Sequence, residues 1–236
     1  MNVGPSLSRI AALIADPSRG KILASLMNLD GLPASELAML AGITPQTASS
    51  HLGKMVAAGL LKLTQQGRHR YYSIASDEVA NILERLAFLA PAPVIRTSKE
   101  SLELRYLKFG RTCYGHLAGS VGVTLFERLM DGGYLRRRGD ELELSRSGQN
   151  LFLELGLDVD ALRKLRRTFA CPCLDWTERK HHLAGALGKA ITDMMIRQKW
   201  IRRLPESRAI AVTDRGKELF KSRFQIDVAS LERSRG

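Results

Sequence analysis

No run of this chain comes near the roughly 20 apolar residues that a membrane-spanning helix needs. Its start, Met1 to Arg9, has neither the basic opening nor the cleavage pattern of a signal peptide, so a cytoplasmic protein with no membrane partner is expected. Cysteine is scarce. Three thiols cannot build a disulfide framework, and in the cytoplasm they are expected to be reduced. Glycine-flanked nucleophile elbows and phosphate-cradling loops are missing too, so the Cys, His and Asp residues of the second half do not make a thiol hydrolase. No enzyme is expected. Acid is also short: 24 acidic residues stand against 36 basic ones, a net charge of +12. The excess is uneven. Met1 to Pro93 carries 8 basic and 6 acidic residues, the remainder 28 and 18. A basic surface of that kind suits nucleic acid or another polyanion, or is simply well solvated.

What the chain does contain is organised around Leu32 to Ser73. Ser35 can cap a short helix with Leu37, Leu40 and Ala41 on its apolar side. Gly42-Ile43-Thr44 breaks it, and Thr44 then caps a second helix that Pro45 enters at the first position. Ala48, Leu52, Met55 and Val56 face inward on this second helix, while Thr47, Ser50, His51 and Lys54 lie off that stripe. Gly59 ends it. Leu60-Leu61 opens a strand, Gln65 to Arg68 turns, and Arg70 to Ile74 returns. Two short helices and a basic-tipped hairpin make a winged helix-turn-helix. Small polar side chains at the start of a helix reach base edges in the major groove, and a basic wing meets phosphate. The DNA-contact candidates are therefore Thr44, Gln46, Thr47, Ser49, Ser50 and His51 on the helix with Lys54, Arg68, His69 and Arg70 for the backbone.

The run S-S-H-L-G-K-M-V-A-A-G-L-L at Ser49 to Leu61 resembles the recognition helix and its exit in the ArsR family of bacterial repressors. The wing G-R-H-R-Y-Y-S at Gly67 to Ser73 and the helix start Asp16-Pro17-Ser18-Arg19 resemble it as well. The match covers about the first ninety residues. It implies a homodimeric repressor that binds an inverted-repeat operator in double-stranded DNA, with the terminal helices of the domain as the dimer interface. Metal-sensing members carry cysteines on the first helix of the helix-turn-helix. Pro33 to Leu40 has none, which argues against arsenic or cadmium sensing there.

Around this core, Ser6 to Ala15 reads as an opening helix and Asp16 as the cap of the next. Ser76 or Asp77 starts a helix with Val79, Ile82, Leu83, Leu86 and Leu89 on one side. The opening helix and this last one are more apolar than a small domain needs. Ala90-Pro91-Ala92-Pro93 stops the helix. The expected layout is a DNA-binding and dimerisation domain over 1–90, a linker over 91–97 and a second domain over 98–236. The fold class is mainly α with small β-hairpin wings (α+β). The second domain contains an internal repeat, about 113–155 and 179–223. His-Leu-Ala-Gly-x-x-Gly at His116 to Gly122 returns at His182 to Gly188. Tyr134-Leu135-Arg136-Arg137 is answered by Trp200-Ile201-Arg202-Arg203, and Ser145-Arg146-Ser147-Gly148 by Thr213-Asp214-Arg215-Gly216. Each copy reads as the back half of a winged helix: long helix, wing, capped helix. The repeated glycines suit close packing better than base reading.

Cys113, His116, Cys171, Cys173, Asp175, Trp176 and His182 cluster near the start of each copy, and this is where an effector or redox signal would act. Cys113 and His116 would share a helical face, with His116 and His182 opening their helices. Two converging helix N-termini would favour an anionic or polar ligand. Four readings stay open. Buried small hydrophobes and locally bonded histidines come first, then a redox pair, then zinc or another metal on Cys113, His116, Cys171, Cys173 and His182, then a small molecule. No cofactor is expected. The functional reading is a sequence-specific transcriptional regulator. The alternatives are a DNA-architectural protein without sequence preference and, behind it, a thiol-dependent enzyme.

Overall fold

The computed structural model describes residues 7–27, 31–67, 69–91, 94–139, 141–205 and 207–233. Arg68 of the expected wing and Ala92-Pro93 of the expected linker lie outside these. Two compact units divide the chain, Met1–Ile82 and Leu83–Gly236.

The first unit runs α1 (Leu7–Ile14), α2 (Pro17–Leu26), β1 (Leu32–Pro33), α3 (Ala34–Ala41), α4 (Pro45–Ala57), β2 (Leu61–Gln66) and β3 (His69–Ile74). The strands form one antiparallel sheet in the order β1-β3-β2. Local chemistry sets the helix ends. The Asp16 carboxylate accepts from Arg19 N at 2.9 Å and Pro17 opens α2. Gly42, at φ 69°, closes α3 in the left-handed conformation that a side chain would resist. Thr44 Oγ1 then accepts from Thr47 N at 3.2 Å to start α4. Ile22, Leu37, Ala48, Leu52, Met55 and Ile74 are wholly excluded from solvent and form the core. Two expectations change. Ser35 caps nothing, because α3 begins after Pro33 without a side-chain cap. Ala38 rather than Leu40 completes the buried side of α3, since Leu40 is 44% exposed. The residues before α3 form a short strand, which Leu32 anchors opposite Tyr72.

Helix α5 (Asp77–Leu89) crosses the boundary between the units. That boundary precedes the expected break at 90. The reason is visible in the contacts of α5: Glu84 pairs with Arg208 at 3.1 Å, and Arg179 lies 4.2 Å over the Phe88 ring.

The second unit continues with α6 (Ser98–Phe109), β4 (Arg111–Cys113), β5 (His116–Ala118), α7 (Gly119–Asp131), β6 (Leu135–Arg138), β7 (Glu141–Leu144) and α8 (Arg146–Glu154). After the short α9 (Val159–Arg163) come β8 (Cys171–Leu174), β9 (His181–Ala184), α10 (Gly185–Arg197), β10 (Ile201–Arg203), β11 (Ile210–Val212), α11 (Asp214–Phe224) and α12 (Val228–Arg233). Each pair of neighbouring strands is an antiparallel hairpin. The order hairpin, long helix, hairpin, capped helix occurs twice. Ser145 Oγ accepts from Gly148 N at 3.1 Å, and Thr213 Oγ1 from Gly216 N at 2.9 Å. Trp200, Phe220, Phe152, Leu129 and Leu135 fill the core, with the Trp200 and Phe220 rings edge to face at 5.7 Å. Between the two copies stand the short α9 and then β8.

Four glycines explain why the two halves share their spacing. A Cβ on Gly122 would lie 2.2 Å from Leu117 O, and one on Gly188 2.4 Å from Leu183 O. On Gly148 it would lie 2.3 Å from Tyr134 O, and on Gly216 2.0 Å from Trp200 O. In each case a helix backbone sits directly on a preceding backbone carbonyl, and no side chain can shift out of the way. Gly216→Ala is therefore expected to cost about 3 kcal/mol or more, at the upper end of overpacking penalties, whereas Gly53→Ala on the open face of α4 stabilises by about 0.5–1 kcal/mol. Denaturant midpoints of the two variants against the parent test this.

Candidate DNA-reading surface and buried cysteine–histidine cluster

Helix α4 presents Gln46, Thr47, Ser49, Ser50 and Lys54 to solvent, beside exposed Thr44, while Ala48, Leu52 and Met55 are completely buried beneath them. Small polar groups thus occupy the first turns, where a groove-bound helix approaches bases. The wing places His69 and Arg70 on exposed strand positions, opposite Gln66 and Gln65.

His51 differs from its neighbours. It is half-buried, its Nδ1 lies 3.1 Å from Arg19 Nη1, and its Nε2 lies 3.8 Å from Asp16 Oδ1. A guanidinium only donates, so Nδ1 accepts and the ring proton sits on Nε2, facing Asp16. Arg19 also donates to Leu13 O at 2.6 Å and Ala12 O at 2.9 Å. Arg19 therefore braces α1 and α4 onto the start of α2, and His51 belongs to that brace. The Asp16 carboxyl is held below its usual pKa, chiefly by the Arg19 backbone N–H.

In the second unit the sequence candidates meet, but on strands. Cys113 and His116 are direct cross-strand partners of β4 and β5, joined by a two-residue turn in which Tyr114 and Gly115 both have positive φ, 45° and 91°. Cys173 and His182 are likewise partners, across β8 and β9. The expected helical face and helix-opening histidines are thus replaced by two hairpins, because each helix begins only at the following Gly119 or Gly185. One ligand-type atom from each of Cys113, His116 and His182 lies within 4.8 Å of the others. Cys173 packs against Cys113, and Cys171 at the edge of the same small cluster is half-buried. None of the three cysteines is in a disulfide. His116 is 3% exposed and His182 not at all. The Cys113 thiol donates toward Cys173, which holds Cys173 down at about 5 against the effect of burial and keeps Cys113 well above the usual thiol range. Burial, aided by His182 and Arg167, keeps His116 neutral.

Asp175 is the buried anchor of the site. Its Oδ1 accepts from Thr177 N at 2.9 Å, Thr177 Oγ1 at 2.6 Å and Glu178 N at 3.0 Å, and pairs with Arg111 Nη2 at 3.1 Å. Its Oδ2 accepts from Gly119 N at 2.7 Å and stands 3.6 Å from His182 Nδ1. Burial raises its pKa, but Arg111, Thr177, His182 and Gly119 together outweigh it and hold the carboxyl far below the ordinary range. Arg111 is completely buried, gives Nη1 to Leu107 O and Thr177 Oγ1, and stacks 4.9 Å from Trp176, over which Arg208 also lies. The anionic pocket expected between two helix starts does not form. The start of α7 is occupied by Asp175, and Ala186 N and Leu187 N of α10 donate to Thr168 O and Phe169 O. Arg111, Thr177 and Arg167 were not legible as site residues. The available signal was the spacing: Cys173 follows Cys113 by sixty residues, as Phe169 follows Phe109, while the histidines are sixty-six apart. The second hairpin has a longer turn.

Residues 14–64 match a family described as a helix-turn-helix domain. The uncharacterized HTH-type transcriptional regulator YdfF of Bacillus subtilis (strain 168) is 44% identical over 226 residues, 96% of this chain and 100% of the relative. The HTH-type transcriptional regulator CmtR of Mycobacterium bovis is 35% identical over 82 residues, 34% of this chain and 68% of the relative. Among solved structures, NolR from Sinorhizobium fredii is similar at 30% identity and a TM-score of 0.33, covering 36% of this chain and 85% of that one. A DNA-binding transcriptional regulator is the class these features define. The chain belongs to the HTH-type transcriptional regulators, with a winged helix-turn-helix of the ArsR family at its N-terminus.

The buried pair makes two outcomes testable. Arg111→Met leaves Asp175 charged and unpaired and should cost about 3–5 kcal/mol, while Arg111→Met with Asp175→Asn recovers part of the loss. Asp175 has a lowered folded pKa, so its contribution is complete above the unfolded value near 3.8, begins to shrink below it and is lost as pH falls through the much lower folded value. Urea midpoints at pH 6 and pH 3.5 should therefore differ more for the parent than for Asp175→Asn.

Proposed function

We propose that the protein is a homodimeric repressor that reads an inverted-repeat operator through α4 and responds to a signal at the Cys113–His116–Cys173–His182 cluster. The observation that carries the DNA reading is the split of α4 into a fully buried apolar side and a wholly exposed polar start, followed by a basic wing. Gln46, Thr47, Ser49 and Ser50 are the base-reading residues. Lys54, Arg68, His69 and Arg70 bind phosphate, and Thr44 stands near it while it caps the helix. His51 acts through Arg19 by fixing the angle of α4.

Dimerisation is supported by α1 and α5. No residue of α1 is buried, although Leu7, Ile10, Ala11 and Ile14 line one side of it. Ile82, Leu86 and Leu89 of α5 are exposed as well. Apolar helix surface of this extent calls for a second copy. Regulation is supported by the burial of two cysteines and two histidines together, with polar ring atoms that no protein group satisfies. A non-enzymatic role suits the same cluster, whose Cys113 and Cys173 are buried. The setting of such a regulator is the cytoplasm. Among the described residues no helix is long and apolar enough to cross a membrane.

Two measurements test the reading. Replacing Arg68 and Arg70 by Ala should weaken binding to all sequences and lower the slope of log affinity against log salt by about two phosphate contacts, whereas Gln46→Ala or Ser50→Ala should change the preferred sequence. An unchanged salt slope removes the wing from the interface. Leu86→Glu should give a chain that folds and sediments as a monomer and binds a full operator at least about tenfold more weakly. A parent chain that is monomeric at micromolar concentration removes the dimer.

A further inference from the structure

Two hairpins of the second unit each set a cysteine directly across from a histidine, Cys113 with His116 and Cys173 with His182. Cross-strand partners project to the same side of a hairpin, so each pair is a two-toothed claw with one sulfur and one imidazole. The claws face each other: the His116 and His182 rings are 6.4 Å apart, and Cys173 packs against both Cys113 and His182. We infer that these four side chains form a closed S2N2 site for a thiophilic divalent ion of the zinc class. The inference rests on reading this cluster as the regulatory site and gives its signal a chemical identity.

Distance supports it first. Around zinc, sulfur at about 2.3 Å and nitrogen at about 2.0–2.1 Å put tetrahedral ligands roughly 3.3–3.8 Å apart. Here ligand atoms of Cys113, His116 and His182 already lie within 4.8 Å of one another, so an inward shift of about an ångström brings these three to ligand spacing, and Cys173, outside that group, joins them as the fourth through its contacts with Cys113 and His182. The second support is unmet hydrogen bonding. His116 Nδ1 and both ring nitrogens of His182 are buried with no hydrogen-bond partner in the protein. Ring nitrogens buried in this way give up hydrogen bonds to water, which coordination would repair, while the other nitrogen of His116, Nε2, keeps Arg167 Nη2 at 3.4 Å. The third is the outer partner. Asp175 Oδ2 stands 3.6 Å from His182 Nδ1, as a carboxylate that orients a metal-bound histidine does, leaving Nε2 for the ion. Charge agrees as well. Arg111 and Asp175 cancel, two thiolates neutralise a divalent ion, and the Arg167 guanidinium, 3.4 Å from His116 Nε2, leaves one positive charge at the rim of the site. Four protein ligands leave no open position, which suits a sensor or structural ion rather than a catalytic one.

The probe is cobalt(II), which reports tetrahedral thiolate sites by visible d–d bands and a near-ultraviolet sulfur-to-cobalt charge-transfer band. The reduced full-length chain should bind one equivalent, and zinc should displace it. Cys173→Ser should halve the charge-transfer intensity and weaken binding more than about 100-fold, beyond the 10–100-fold that Asp175→Asn costs as an outer partner. Cys171→Ser should leave the spectrum intact. Should a variant fail to fold, the stoichiometry and spectrum of the parent decide alone. A reduced parent that binds no cobalt, or binds it without a thiolate band, overturns the site. So does Cys171→Ser matching the loss in Cys173→Ser, or a chain whose only chemistry at the cluster is a peroxide-induced Cys113–Cys173 disulfide. Operator affinity with and without zinc separates the two levels. A tight cobalt site with unaltered DNA binding retains the ion and removes the regulatory reading.

Discussion

The buried ion pair between Arg111 and Asp175 holds the second unit's centre in place. Both side chains are wholly excluded from solvent, so each is tolerable only because the other is present. Asp175 accepts from the start of α7, from Thr177 in both backbone and side chain, and from Glu178. One carboxylate thereby fixes the first residue of a long helix, the path of the turn after β8 and the strand that carries Cys113. Removing it would unfasten the two hairpins from each other and from the helix behind them. The first unit has a smaller counterpart in Arg19, whose donors reach α1 and the recognition helix, while Asp16 caps the helix that carries it.

Much of the first unit could be read directly from residues. Caps at Asp16 and Thr44, the left-handed Gly42 and the buried stripe of α4 follow from local rules, and local rules suffice because the helices are short and sharply bounded. The helix-turn-helix and the relation to ArsR regulators were legible for the same reason. Failures came where tertiary packing decides. Leu40 has the right spacing for burial, yet it falls on the outer side of α3, whose buried side is Leu37, Ala38 and Ala41. Ser35 has capping chemistry but lies inside a helix that Pro33 has already started.

The second unit was harder. His-Leu-Ala looks like the first turn of a helix, and its alanine and leucine favour one. Gly119 and Gly185, at φ 73° and 83°, put the helix start later and leave those residues as strands. Strands of three or four residues have too short a period to announce themselves, and Cys-Pro-Cys even less so. The repeat was visible through its glycines and aromatics. The pairing of Cys113 with Cys173 was hidden by the unequal turns, two residues in one hairpin and six, Asp175 to Lys180, beyond the Leu174–His181 pair in the other. Ionic contacts such as Arg111 with Asp175 join residues far apart in the chain, and no local pattern records them.

The four glycines that press most tightly on backbone carbonyls have a bearing beyond this molecule. Side chains elsewhere in the core can be exchanged in compensating pairs, since one that grows can be offset by another that shrinks. A carbonyl oxygen of the main chain cannot shrink. Positions 122, 148, 188 and 216 are thus closed to substitution for as long as the helices keep their seats. Drift can erase the aromatics, the charges and even the cysteines of a distant chain with this unit, and its four glycines would still mark it.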